Sequence, residues 1–230
     1  MIPDRLAEVR ERIGAAARSA GRDPSSVRLI AVSKTFPLDL IREAYAAGHR
    51  DFGENRVQEA LEKAEASPDL SIAWHLLGHL QTNKARRAAG TFHTVHSIDS
   101  ADLLRKIDAA AAEAGTSPDL LIQVDLAREA TKHGVPPEAV SLLFDAASGL
   151  RAARVVGLMT LPPYPENPED SRPWFRQLRE LREEWLAAGV PAAMLRELSM
   201  GMSGDYEVAI QEGATMVRVG TAIFGKRAKR

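Results

Sequence analysis

Seven of the 230 residues are lysines, against 23 arginines. One lysine stands apart. Lys34 follows directly on an apolar run, Leu29-Ile30-Ala31-Val32, whereas the other six fall in helical stretches, loops or the tail. A lysine held against apolar walls has its charged form disfavoured. The neutral amine is the nucleophile that condenses with an aldehyde. A lysine that only ends a strand, and pairs there with an acid or with water, would show the same local sequence.

Two further stretches carry chemistry. Ser199-Met200-Gly201-Met202-Ser203-Gly204-Asp205 leads into a helical segment. Glycines let backbone approach a ligand closely, and a helix start aims unpaired N–H groups at an anion. Ser199 and Ser203 add hydroxyls. Asp205 suits a helix start better than a phosphate contact, since its charge repels phosphate. Arg218-Val219-Gly220-Thr221 ends the last apolar run. Arg218 interrupts that run, and burying it alone would be costly. The bland alternatives are a tight turn with a cap for the first stretch and a buried salt bridge for Arg218.

Positioning these residues requires a frame, and the chain supplies a repeating one. After a helical stretch over 3–21, with Leu6, Val9, Ile13 and Ala17 on one face, short β-branched runs alternate with helices. Strands are expected over 27–33, 51–54, 72–77, 94–98, 119–125, 154–160, 197–200 and 215–219. Helices are expected over 38–47, 57–66, 83–89, 101–114, 137–147, 172–188 and 206–212. Strict alternation implies parallel strands joined by right-handed crossovers. Eight units in this length fit a (β/α)8 TIM barrel as a single domain over 1–230. Nothing but a tail follows the last strand, so the amino-terminal helix is expected to replace the eighth helix. In such barrels the reacting groups lie at the carboxyl ends of strands, with phosphate sites after strands seven and eight. Lys34, Ser203 and Gly204, and Gly220 and Thr221 all fall there. An amine beside a phosphate site suits a phosphorylated aldehyde. Pyridoxal 5′-phosphate fits, and so does a sugar phosphate in a Schiff-base aldolase.

Composition narrows the classes. Net charge is −1, hydrophobic residues make up 45% and charged residues 27%, and there is no cysteine. Near neutrality argues against nucleic acid as a partner, despite the basic Lys226–Arg230 tail. Lack of cysteine removes disulfides and thiolate chemistry. No apolar run is long enough for a membrane span, and Met1-Ile2-Pro3-Asp4-Arg5 lacks secretory character. A soluble cytoplasmic protein is expected. His75 and His79 are not on one helical face, so no metal site is expected. His93 and His96 are read as paired or exposed. Lys132-His133-Gly134 either flanks the pocket or turns the chain. The charged run 176–184 is read as a solvated helix face, with Trp174 and Trp185 as packing residues.

Several of these segments resemble the pyridoxal phosphate homeostasis protein family. They are Ala31-Val32-Ser33-Lys34, Phe52-Gly53-Glu54-Asn55-Arg56-Val57-Gln58-Glu59, the run from Trp74 to Lys84 (WHLLGHLQTNK), Gly157-Leu158-Met159-Thr160, Leu198 to Ser203 (LSMGMS), and Met216 to Gly225 (MVRVGTAIFG). They span nearly the whole chain in order. Leu76-Leu77 stands where the family more often has Phe-Ile, and Arg56 where Tyr is commoner. The resemblance implies a single-domain relative of the alanine racemase barrel, of pyridoxal phosphate fold type III. It implies that Lys34 holds the cofactor as an aldimine, and that Arg218 sits by the pyridine nitrogen. Ser203, Gly204, Gly220 and Thr221 would hold the phosphate, while Asn55, His75, Met159 and Ser199 would line the pocket. An arginine at the ring nitrogen weakens the ring as an electron sink. None of Tyr45, Tyr164 and Tyr206 reads as an opposing base. The expected role is therefore a monomeric carrier or buffer of the cofactor in vitamin B6 and amino-acid homeostasis, with apo-enzymes that use pyridoxal phosphate as acceptors. An amino-acid racemase of weak activity is the alternative, ahead of the aldolase.

Overall fold

The structure is a computed structural model that describes residues 1–128 and 133–226. Elements follow the expected alternation: α1 (Ile2–Ser19), β1 (Arg28–Val32), α2 (Leu38–Ala46), β2 (Asp51–Glu54), α3 (Val57–Glu65), β3 (Ala73–Leu76), α4 (Ala85–Thr91), β4 (Thr94–Ile98), α5 (Ala101–Ala114), β5 (Asp119–Gln123), α6 (Val140–Ala147), β6 (Arg154–Met159), α7 (Arg172–Ala187), β7 (Glu197–Met202), α8 (Tyr206–Gln211), β8 (Met216–Val219) and α9 (Thr221–Phe224). The eight strands close in sequence order, and β8 pairs in parallel with β1, Ala31 opposite Val219. This is a (β/α)8 barrel. No helix among the described residues is long and apolar enough to cross a membrane.

Local chemistry explains the boundaries. Ser100 caps α5 by accepting the Leu103 N–H, and Gly115 closes that helix at φ 66°. β1 ends at Val32, so Ser33 and Lys34 already belong to the loop. The strand expected over 197–200 runs on to Met202, with a register shift against β8 between Ser199 and Met202. Gly201 takes φ +91° there, and a Cβ on it would lie 2.5 Å from Ala209 Cβ. The helix α9 is one turn that the sequence pattern did not announce.

The amino-terminal helix replaces the eighth helix, as expected. Its face Leu6, Val9, Ile13 and Ala17 is buried, and it packs on α8, α9 and α2. The main apolar core lies between barrel and helices. A second, small cluster of Ile30, Leu121, Val156, Met159 and Met216 is separate from it. Strand side chains alternate between faces, so these residues fill part of the barrel interior. The rest of that interior is polar, as the site shows. On α7 the charged face is less solvated than expected. Arg172, Arg176 and Arg179 converge on the buried Glu212 at the end of α8. Trp174 and Trp185 do pack on the core. The residues Lys132 and 227–230 lie outside the described residues.

The closeness of β6 and β7 is testable. A Cβ on Gly157 would lie 2.0 Å from the Glu197 carbonyl oxygen, a backbone atom that cannot swing aside. Gly157→Ala should destabilise the chain by about 3 kcal/mol in urea unfolding, at the upper end of overpacking costs. Gly90→Ala, in α4 with open space around it, should be neutral or stabilise by up to about 1 kcal/mol.

Candidate functional site

Closure of β8 on β1 gathers the chemistry-bearing loops at the carboxyl end of adjacent strands. Lys34 lies two residues past β1, half-buried. Its turn is clamped on both sides from α3. Lys63 Nζ donates to the Ser33 carbonyl at 2.9 Å, and the Thr35 N–H donates to Glu59 Oε1 at 2.5 Å. Thr35 takes φ +67°, a strained value for a β-branched residue. Lys63 also bridges Glu59 (2.8 Å) and the wholly buried Glu54 (2.7 Å), whose other contact is the Ser33 hydroxyl at 2.6 Å. Burial pushes the Glu54 carboxyl up, against the pull of Lys63. Its Oε2 has no hydrogen-bond partner among the described residues.

The two glycine-rich stretches meet. Gly220 N–H donates to Ser203 Oγ at 3.1 Å, joining the loops after β7 and β8. A Cβ on Gly220 would lie 3.2 Å from the Val32 carbonyl, so this loop sits tightly on the end of β1. The backbone N–H groups of Gly204 and Thr221 have no protein acceptor among the described residues. Asp205 stands at the start of α8 but does not cap its N–H groups. Its carboxylate instead accepts from Met202 N–H (2.7 Å) and the Ser171 hydroxyl (2.8 Å), which holds the Ser203 turn.

Arg218 is buried and, among the described residues, paired with no carboxylate. One terminal nitrogen donates to the Ser199 carbonyl (2.7 Å) and hydroxyl (2.6 Å), and the other to the Thr160 carbonyl (2.9 Å). Three of its five N–H groups are thus committed, and two are left for a ligand. Burial pulls its pKa down to about 10, so it is still a cation at neutral pH. Beyond Ser199 the contacts continue. Ser199 Oγ lies 2.9 Å from His96 Nδ1, His96 Nε2 lies 3.0 Å from His75 Nδ1, and His75 Nε2 lies 3.1 Å from Asp51 Oδ1. The β4–β7 link crosses the barrel interior. His75 and Ser199 are fully buried, and these partners occupy all their side-chain polar atoms. Both are expected as pocket lining, and both spend their side-chain polar atoms on this interior row, Ser199 directly on Arg218 and His75 two contacts away.

The remaining expected residues are placed nearby. Asn55 follows β2, and a Cβ on Gly78 would lie 2.1 Å from its carbonyl oxygen, so the loops after β2 and β3 are in close contact. Met159 belongs to the inner apolar cluster. At the rim, His79 pairs with Asp99 at 3.1 Å and stacks on His133 at 3.7 Å. Each of these three offers a ligand atom within 4.8 Å of the others. The two rings are nearly parallel, however, so their in-plane lone pairs run side by side rather than converging on one ion.

Together the site offers an amine that condenses with an aldehyde, an N–H cradle for an oxyanion, and a buried cation. Known proteins share this frame. The alanine racemase N-terminal domain family matches residues 5–228. The chain belongs to that family. Within it, a pyridoxal phosphate homeostasis protein of Aquifex aeolicus is 49% identical over 224 residues, 97% of each chain. A pyridoxal phosphate homeostasis protein of Pseudomonas aeruginosa is 44% identical over 98% of this chain and 96% of its own. PipY of Synechococcus elongatus, solved with PLP bound, is 44% identical and superposes with a TM-score of 0.86 over 98% of this chain and all of its own.

Sequence reasoning missed Asp51, His96, Glu59, Lys63 and Thr160. Glu54 and Glu59 lay in a segment quoted for the family resemblance, but nothing local marks Lys63 as their partner. For His96, the signal was a histidine in the middle of an expected strand, Thr94–Ile98 (TVHSI).

The buried histidines make stability depend on pH. Burial lowers the pKa of His75 and His96, and that of His49 to about 4. For each, the unfolded chain binds the proton first. Stability is therefore full above about pH 6.5 and falls as the pH drops toward 4, by about 1.4 kcal/mol per unit for each wholly neutral histidine. Urea unfolding from pH 7 to 4.5 should show this decline. His49→Gln should make it shallower.

Proposed function

We propose that this chain binds pyridoxal 5′-phosphate and serves its homeostasis, holding the cofactor on Lys34 and carrying or buffering it. The observation that supports this best is the meeting of Lys34, the Ser203–Gly220 cradle and Arg218 at one end of the barrel. Full-length likeness to the homeostasis proteins and to PipY points the same way. The residues fit the cofactor group by group. Two backbone N–H groups without acceptors suit a phosphate, two uncommitted N–H groups on Arg218 suit a ring nitrogen, and the strand-end amine suits an aldehyde.

When bound, the cofactor supplies an aldehyde for covalent attachment and a ring that accepts electrons. Lys34 provides the attaching amine, on a turn held still by Glu59 and Lys63. Gly204, Thr221 and the Ser203 hydroxyl anchor the phosphate, with Gly220 fixing Ser203. Met159 and its inner apolar neighbours would keep water from the interior side of the bound cofactor, and Asn55, in the loop after β2, would contribute to the pocket wall. Arg218, with two N–H groups uncommitted, would donate to the ring nitrogen and so keep a proton off it, which would damp carbanion chemistry. The tyrosines do not offset this. Tyr45 stacks on Arg50, Tyr164 is 90% exposed, and Tyr206 is buried in the core. A holder without an opposing base suits a carrier. Its acceptors are apo-enzymes of the same cofactor, and it works as a cytoplasmic monomer.

Lys34→Ala should fold normally yet give no pyridoxyl label after borohydride reduction, by peptide mapping. A label on another lysine would reassign the site. Ser203→Ala should weaken cofactor retention by about 0.5–1.5 kcal/mol, measured by equilibrium dialysis. Unchanged retention would remove Ser203 from the phosphate site.

A further inference from the structure

A guanidinium only donates hydrogen bonds and an ionised carboxylate only accepts them, and together they order the protons across the barrel interior. Arg218 gives an N–H to Ser199 Oγ at 2.6 Å. The hydroxyl proton of Ser199 is then free to go to its other partner, His96 Nδ1, at 2.9 Å. A neutral His96 that accepts at Nδ1 carries its proton on Nε2 and donates to His75 Nδ1 at 3.0 Å. His75 in turn carries its proton on Nε2 and donates to Asp51 Oδ1 at 3.1 Å. An ionised carboxylate only accepts. The carboxylate end, with neutral imidazoles, therefore sets the direction, and the guanidinium end, which leaves the Ser199 hydroxyl proton free to donate, agrees with it; both histidines are fully buried, which favours their neutral form.

The chain runs the height of the barrel. Arg218 is near the carboxyl end of β8, while Asp51 is the first residue of β2. Asp51 is the only member with appreciable exposure, at 27%. It lines a cavity of about 370 Å3 with Arg10, Arg28 and Arg50. Among the described residues, the other charged or titratable groups near the chain are Arg28, 4.0 Å from Asp51, His49, whose Nε2 lies 2.8 Å from the Asp51 carbonyl, His93, whose ring centre is 6.4 Å from that of His75, and Asp205, whose charge acts on Arg218 without pairing with it.

We propose that Ser199, His96, His75 and Asp51 are positioning residues that act through Arg218: a one-way hydrogen-bond chain that fixes its guanidinium against the cofactor ring and ties it to a carboxylate at the opposite end of the barrel. This rests on the placement of Arg218 beside the ring proposed above. A fixed guanidinium presents its remaining N–H groups at one place without reorganisation. Removing the anion at the far end leaves the direction of the chain intact but takes away the charge that polarises it.

Two measurements test this. The first needs no cofactor. Ring-nitrogen 15N NMR of the apoprotein at pH 7, assigned with His75→Gln and His96→Gln, should show both imidazoles neutral with the proton on Nε2. A charged ring, or an Nδ1–H tautomer in either, overturns the chain. The second uses the protein loaded with pyridoxal 5′-phosphate. His75→Leu and Asp51→Asn should still be labelled at Lys34 by borohydride. Their visible absorbance maximum should shift, and the cofactor should dissociate about five-fold faster, the worth of one hydrogen bond lost in His75→Leu or weakened from charge-assisted to neutral in Asp51→Asn. An unchanged spectrum and unchanged dissociation in Asp51→Asn reduce these residues to core packing. That position is partly exposed, so it stays informative even where His75→Leu fails to fold. Wild-type protein that takes up no cofactor overturns the placement of Arg218 and the positioning role with it, while the tautomers still report whether the chain exists.

Discussion

A permanent cation enclosed by a parallel barrel is the constraint from which most of the interior follows. Arg218 keeps its proton at neutral pH even though burial lowers its pKa to about 10, and no carboxylate among the described residues lies within salt-bridge reach of it. Its charge has to be met by oxygens, which the barrel takes from Ser199 and Thr160 on the neighbouring elements. A hydroxyl recruited in this way is free to pass its own proton on, and the buried histidines receive it. Without Arg218 a row of two neutral imidazoles in a barrel core would have no fixed tautomer and little reason to be polar.

The same economy governs the loop that carries Lys34. A lysine on a flexible loop would bring large rotamer entropy to any covalent attachment. Here the loop is stapled from α3, and the staple is itself a buried ion cluster. Glu54 is tolerated at zero exposure because Lys63 and the Ser33 hydroxyl meet one of its oxygens. Such a cluster is weak evidence of added stability, since its desolvation offsets much of its attraction. Its value lies in geometry, holding the backbone on either side of Lys34. The glycines of the facing loops serve the same end, letting backbone N–H groups stand where side chains would crowd them.

Much of this was legible in the sequence. Alternating apolar runs and caps marked all eight strands and eight of the nine helices among the described residues, because periodicity and turn residues act locally. Lys34 and Arg218 stood out as charges at the ends of, or within, apolar runs. His75 and Ser199 are read from the resemblance as pocket lining, and the structure shows their polar atoms engaged with His96, Asp51 and Arg218. Their partner His96 lies 21 residues from one and 103 from the other. Nothing in a local window couples positions so far apart.

By itself, the sequence determined the order of elements, the barrel class, and which residues occupy strand ends. These depend on side-chain chemistry within a few residues. Only the tertiary structure decided which strand ends adjoin. Lys34 and Thr221 stand near opposite ends of the chain and become neighbours because β8 pairs with β1. It alone also decided which way each interior side chain hands on its proton, since that direction is set by an arginine on one strand and a carboxylate on another.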